Sequence, residues 1–108
     1  MRVLLIRAGV ASLSHYNITY PMGLLYLAAV ARRELSAEVE LIDSRFPWHG
    51  NHDLRERLRR FRPDVVGFSS LTQDAPHLHQ TAALVKQMAP EARLVAGGAH
   101  PTIFPAQT

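Results

Sequence analysis

The sequence predicts an α/β domain built on a parallel sheet, and three observations carry that prediction. Short apolar runs of strand length, such as Val3 to Ile6 and Val65 to Phe68, alternate with longer segments of helical spacing. The runs are continuously apolar, which suits strands covered on both faces. Turn residues punctuate the alternation: Pro63-Asp64, Pro90 and Gly97-Gly98. The resulting order is βαβαβαβ. Right-handed crossovers then place helices on both faces of one sheet, in three layers.

Each element has its own justification. Arg2 to Arg7 reads as an interior strand. Ala8 to Tyr20 is a long polar loop, a length usually tied to function or disorder. Pro21 opens a helix that runs to about Leu35, with Leu24, Leu27, Ala28, Ala31 and Leu35 as its expected buried stripe. Gly23 lies in its first turn, where a side chain would come closest to a ligand or to the sheet. Glu38 to Asp43 alternates Glu38 and Glu40 with Val39 and Leu41, the pattern of an edge strand. Asn51 or Asp53 caps a helix ending near Arg62, with Leu54, Leu58 and Phe61 on one face. Val65 to Phe68 is the central strand, and Ser69, Ser70 and Thr72 follow it at once. Asp74 caps the next helix, whose expected stripe is Leu78, Ala82, Val85 and Ala89. Arg93 to Ala96 is the last strand, ended by Gly97 and Gly98.

Bulk properties exclude several classes. At 108 residues the chain has the size of one domain, and it contains no cysteine. Disulfides, thiolate metal sites and cysteine nucleophiles are therefore ruled out within it. A cytoplasmic setting fits that composition. No apolar run approaches the length of a membrane span, so no membrane partner is expected. The net charge of +3 is carried by eleven arginines and one lysine. Five arginines fall between Arg55 and Arg62, on the polar face of an amphipathic helix, where Glu56 can pair with Arg60. That is a solvated face, and no nucleic-acid partner is expected.

The usual nucleotide motifs fail. Asp43 stands where a ribose-binding acid would, but the first turn supplies Gly9 alone instead of G-x-G-x-x-G. A P-loop and a receiver-type acidic cluster are missing too. His77 and His79 are two apart and do not share a helix face, and His49 and His52 have no supporting carboxylate, so no metal ligand is expected. No catalytic residue stands out.

What remains is the carboxyl end of the sheet, where open α/β folds place ligands. Gly67-Phe68-Ser69-Ser70-Leu71-Thr72 ends the central strand. Val95-Ala96-Gly97-Gly98-Ala99-His100-Pro101-Thr102 ends the next. The first stretch resembles the S-x-L motif of cobalamin-binding domains, at Ser69 and Leu71, and the second resembles their glycine pair. Tyr20-Pro21-Met22-Gly23-Leu24-Leu25-Tyr26-Leu27-Ala28-Ala29, Arg62 to Ser70, Val85-Lys86 and Gly97 to Thr102 together are similar to the N-terminal cobalamin-binding domain of cobalamin-dependent radical S-adenosylmethionine enzymes.

That resemblance implies a flavodoxin-like (Rossmann-like) sheet of order 2-1-3-4-5, with the chain stopping before its fifth strand. It implies cobalamin as cofactor. It also implies a radical domain elsewhere in the same parent chain, holding S-adenosylmethionine and an iron–sulfur cluster (4Fe–4S). Such a parent is most often a methyltransferase, and the chain alone is not a complete enzyme. The cofactor-binding residues it suggests are Gly23, Ser69, Ser70, Leu71, Thr72, Gly97, Gly98 and His100. Glycines at Gly97 and Gly98 would clear a slot for the cofactor's nucleotide-like tail. Ser69 would offer its hydroxyl to the benzimidazole nitrogen freed from cobalt. Two departures stand out. The D-x-H-x-x-G motif that ligates cobalt in the methionine synthase type is absent, so base-off cobalamin without a histidine ligand is expected. His15 is the one candidate exception. Arg7-Ala8-Gly9 replaces the Asn-Pro-Pro common in the radical family. The competing expectation is a non-catalytic α/β interaction domain that kept the fold and lost the cofactor.

Overall fold

A computed structural model describes residues 1–9, 22–44, 51–69 and 75–97 of the chain. In chain order the elements are β1 (Arg2–Arg7), α1 (Met22–Leu35), β2 (Glu38–Asp43), α2 (Asn51–Phe61), β3 (Val65–Ser69), α3 (Ala75–Met88) and β4 (Arg93–Gly97). All strand pairs are parallel, and the sheet order is β2-β1-β3-β4. This is the flavodoxin-like arrangement, with β2 at one edge as Glu38 and Glu40 foretold. β3 and β4 each run one residue further than the apolar runs suggest. Ser69 and Gly97 are thus the last strand residues and not the first of a loop.

Side-chain alternation divides the interior in two. Leu4, Ile6, Ile42, Val66 and Phe68 point to one face and meet Leu54 and Leu58 of α2 and Leu78 and Val85 of α3. Val3, Leu5 and Val39 point to the other and meet Leu24 and Ala28 of α1, with Ala37. α2 is held by the expected residues, and its Phe61 packs partly buried against the same cluster. α3 buries Leu78, Thr81 and Val85, while Ala82 and Ala89 are only partly buried.

α1 departs from expectation. Leu24 and Ala28 are buried, but Leu27 and Leu35 are 54% and 60% exposed. The stripe is apolar as expected, yet among the described residues nothing packs against its outer edge. The ion pairing of α2 also differs. Glu56 accepts from Arg59 at 3.3 Å instead of Arg60, both spacings being within reach on a helix surface. Arg57 reaches across to Glu40 of β2 at 3.2 Å and lies 3.7 Å from Asp53. This closes the polar side of the β2 edge. Asn51 is the first helical residue, and Asp53 lies inside the first turn. The Asp74 cap falls outside the described residues.

The amino-terminal edge of the sheet is tied by Asp64. Its N–H donates to Arg2 O at 2.8 Å, and its carboxylate accepts from Arg2 N–H at 2.8 Å. Its carbonyl accepts from Arg93 N–H at 2.9 Å. One residue therefore fixes the register of β1 and β4 on β3. α1 and α2 are each followed by a non-glycine residue in the left-handed region, Ser36 and Arg62, both with φ of 50°. Such a residue costs about 1 kcal/mol, partly offset by the backbone bonds that close the helix end.

Candidate functional site

At the carboxyl edge the register aligns four residues in one row across the sheet: Asp43, Arg7, Ser69 and Gly97. Alternation turns this row toward the α1 face. Arg7 and Asp43 are 8% and 3% exposed, so opposite charges sit buried side by side in register. Burial of either charge alone would be costly, and the register places its compensation next to it. The Arg7 guanidinium donates to Ala8 O. Ala8 N–H in turn donates to Ser69 O at 2.9 Å, and Ser44 N–H to Arg7 O at 3.0 Å. The edge is thus held by backbone bonds one step beyond the strands themselves.

Below this row a groove of about 800 Å³ runs down the α1 face. Its floor is β1, β3 and β4, at Val3, Leu5, Val65, Gly67, Ser69, Val95 and Gly97. Its wall is α1, at Gly23, Leu24, Tyr26, Leu27, Ala31 and Leu35. Nearly all of that lining is apolar, and Ser69 supplies a hydroxyl at the mouth. The volume lies in the range of small-molecule and cofactor sites. Two of the glycines are open to it. A Cβ built on Gly23 meets nothing within 4 Å, and one on Gly97 meets only Phe68 O, at 3.9 Å.

Three of the residues expected from the sequence, Gly23, Ser69 and Gly97, therefore line one groove. The other five, Ser70, Leu71, Thr72, Gly98 and His100, lie outside the described residues, as does His15. Sequence reasoning missed Gly67 and Val95 as lining residues and misplaced Leu27 and Leu35 in the core. Gly67 did leave a signal, since a glycine inside a strand marks a bulge or a close approach. Val95, 54% exposed on β4, looks in sequence like any core valine.

A second crevice, of about 860 Å³, opens at the amino-terminal edge among Arg2, Arg59, Arg62, Asp64, Glu91 and Arg93. It is slightly larger, but α2 and α3 end there. Basic side chains near helix carboxyl ends offset the carbonyl partial charges. That accounts for Arg59 and Arg62, at the end of α2, without a ligand. Among the described residues no group of three or more His, Cys, Asp or Glu could hold a metal ion. None of the helices there is long and apolar enough to cross a membrane.

Fold and groove together define an α/β domain with an apolar groove reaching the carboxyl end of a parallel sheet. The family can be stated more closely: the model of the B12 binding domain matches residues 9–108, and the chain belongs to that family. Among curated proteins, it is 33% identical over 105 residues to cytidylyl-2-hydroxyethylphosphonate methyltransferase of Streptomyces wedmorensis, covering 81% of this chain and 20% of the relative. It is 31% identical over 88 residues to an uncharacterised methyltransferase of Pyrococcus horikoshii, covering 82% and 19%. It is 26% identical over 84 residues to the anaerobic magnesium-protoporphyrin IX monomethyl ester cyclase of Cereibacter sphaeroides, covering 78% and 14%. The chain thus spans a fifth or less of the length of these relatives. No solved structure matches it.

Proposed function

We propose that this chain is the cobalamin-binding part of a larger methyltransferase or related radical S-adenosylmethionine enzyme, and that it holds cobalamin base-off with the tail in the α1 groove. The observation that carries this reading is the meeting of Gly23, Ser69 and Gly97 on a single apolar groove at the ligand edge. The groove suits the tail. It is mostly apolar, as a benzimidazole requires, and its polar group is at the mouth. Ser69 would donate to the benzimidazole nitrogen, and the bare backbone at Gly23, Gly97 and Gly98 would leave room for the nucleotide. Ser70, Leu71, Thr72 and His100 would complete the mouth. Cobalamin supplies such enzymes with a cobalt-bound methyl group for transfer. In the parent, S-adenosylmethionine and the iron–sulfur cluster would sit on the radical domain. Two of the relatives are named as methyltransferases and one as a cyclase, which supports group transfer over any single substrate.

Hydroxocobalamin titrated into the chain, followed by absorbance, is the test. Binding by the native chain and its loss in a folded Gly98→Val variant are expected. Equal affinity in the two would refute the slot. Paramagnetic resonance of the cobalt(II) form reports the axial ligand. A nitrogen splitting that disappears in His15→Ala would refute the ligand-free assignment. The second reading, an interaction domain, draws on the exposure of Leu25, Tyr26, Leu27 and Leu35 along α1. A folded native chain with no cobalamin affinity would favour it.

A further inference from the structure

We infer that Gly67 sets the depth of the groove and forms the flat floor against which the far end of the benzimidazole ring lies; this rests on the cobalamin reading above. Gly67 is the middle residue of β3, in register with Leu5 on one side and Val95 on the other, and all three line the groove. It faces the same side as Ser69, two residues along the strand. That places it about 6.6 Å below the hydroxyl at the usual strand rise, roughly the reach of a bicyclic aromatic ring.

Of the three described glycines on the groove, only Gly67 is tight. A Cβ there would come 2.9 Å from Leu5 Cδ2. That atom is the end of a flexible side chain, and Leu5 borders open groove space. The fold could therefore accept an alanine by moving Leu5 into the groove. A glycine inside a strand costs about 0.5–1 kcal/mol relative to alanine. β3 bears that cost where the packing does not strictly demand it. Strand-interior glycines mark sites where a ligand or another backbone approaches closely. Here the approaching body is a planar ring that needs both the bare peptide at Gly67 and the space Leu5 would otherwise fill.

The experiment compares four chains: native, Gly67→Ala, Leu5→Val, and the double variant. Each is titrated with cobalamin and with cobinamide, which lacks the nucleotide tail, and each is melted. Expected are a cobalamin affinity at least tenfold lower in Gly67→Ala, little change with cobinamide, and a double variant in which any loss of melting temperature is relieved while the affinity stays low. Recovery of affinity together with melting temperature in the double variant would reduce Gly67 to a packing residue and overturn the inference. So would a double variant that fails to fold, native affinity in Gly67→Ala, or cobinamide binding as tight as cobalamin in the native chain. A native chain that takes up no cobalamin overturns the functional reading and this inference with it. Failure of the inference alone shows as native uptake with an indifferent Gly67→Ala.

Discussion

The two faces of the sheet are built from the same strands and end up unlike each other. On one, α2 and α3 lie over β1, β3 and the inner part of β2, and Leu4, Ile6, Ile42 and Val66 are 0% exposed, with Leu94 partly buried and Ala96 exposed at the β4 edge. On the other, among the described residues, α1 is the one helix that meets β1 and β2, while Val65 and Val95 of β3 and β4 border a groove. Both faces are apolar, so hydrophobicity does not separate them. Coverage does. The closed face carries most of the buried core, and on the other face the described residues leave apolar surface uncovered. Exposed contiguous apolar surface of this kind marks an interaction or ligand site.

The sharpest way to break that comparison is to truncate one leucine on each face. Leu4→Ala, in the closed core, is expected to lower the unfolding free energy by about 4 kcal/mol, from lost transfer energy and a cavity. Leu27→Ser, on the groove wall, is expected to change it by less than about 0.5 kcal/mol. Urea unfolding of both variants measures the contrast, and similar losses would mean that the groove is filled in solution. A smaller effect sharpens the role of the mouth. Ser69→Ala removes one hydroxyl and should weaken cobalamin about tenfold, the worth of one hydrogen bond of about 1.4 kcal/mol, with the melting temperature unmoved. A Ser69→Ala chain that binds as well as the native one would dissociate the row at the carboxyl edge from the groove. The smallest effect belongs to the closed face's rim. Arg57→Ala removes the links to Glu40 and Asp53 and should cost about 0.5 kcal/mol, shrinking further in high salt. A cost independent of salt would show that Arg57 acts through the packing of its stem.

Much of this architecture was legible before the structure. Val3 to Ile6 is apolar without a break, which suits a strand covered on both faces, and β1 is interior. Glu38 and Glu40 betrayed the edge. Leu27 and Leu35 were not legible, because helical periodicity shows which side of a helix is apolar and not how much sheet lies opposite. The partner of Glu56 was undecidable, since i+3 and i+4 neighbours are equally close. The burial of Arg7 depends on a register that brings Asp43 beside it from across α1, and no local pattern encodes that. For the site, the small and hydroxyl residues at strand ends pointed to Ser69 and Gly97, and the first turn of α1 to Gly23, and all three line the groove. Gly67 was hidden within an apolar run that already had an explanation.

The strand order also bears on how the chain comes off the ribosome. β1 is made first and gains β2 after one crossover. Its other edge must wait for β3, just before which Asp64 bonds to Arg2 across a separation of 62 residues. Contacts between such distant segments slow folding, because the loop must close before the pairing repays it. Until residues 65–69 emerge, β1, the most buried of the described strands, has one bare side. A nascent chain paused between α2 and β3 would be the species most exposed to wrong pairing, and the one a chaperone would meet.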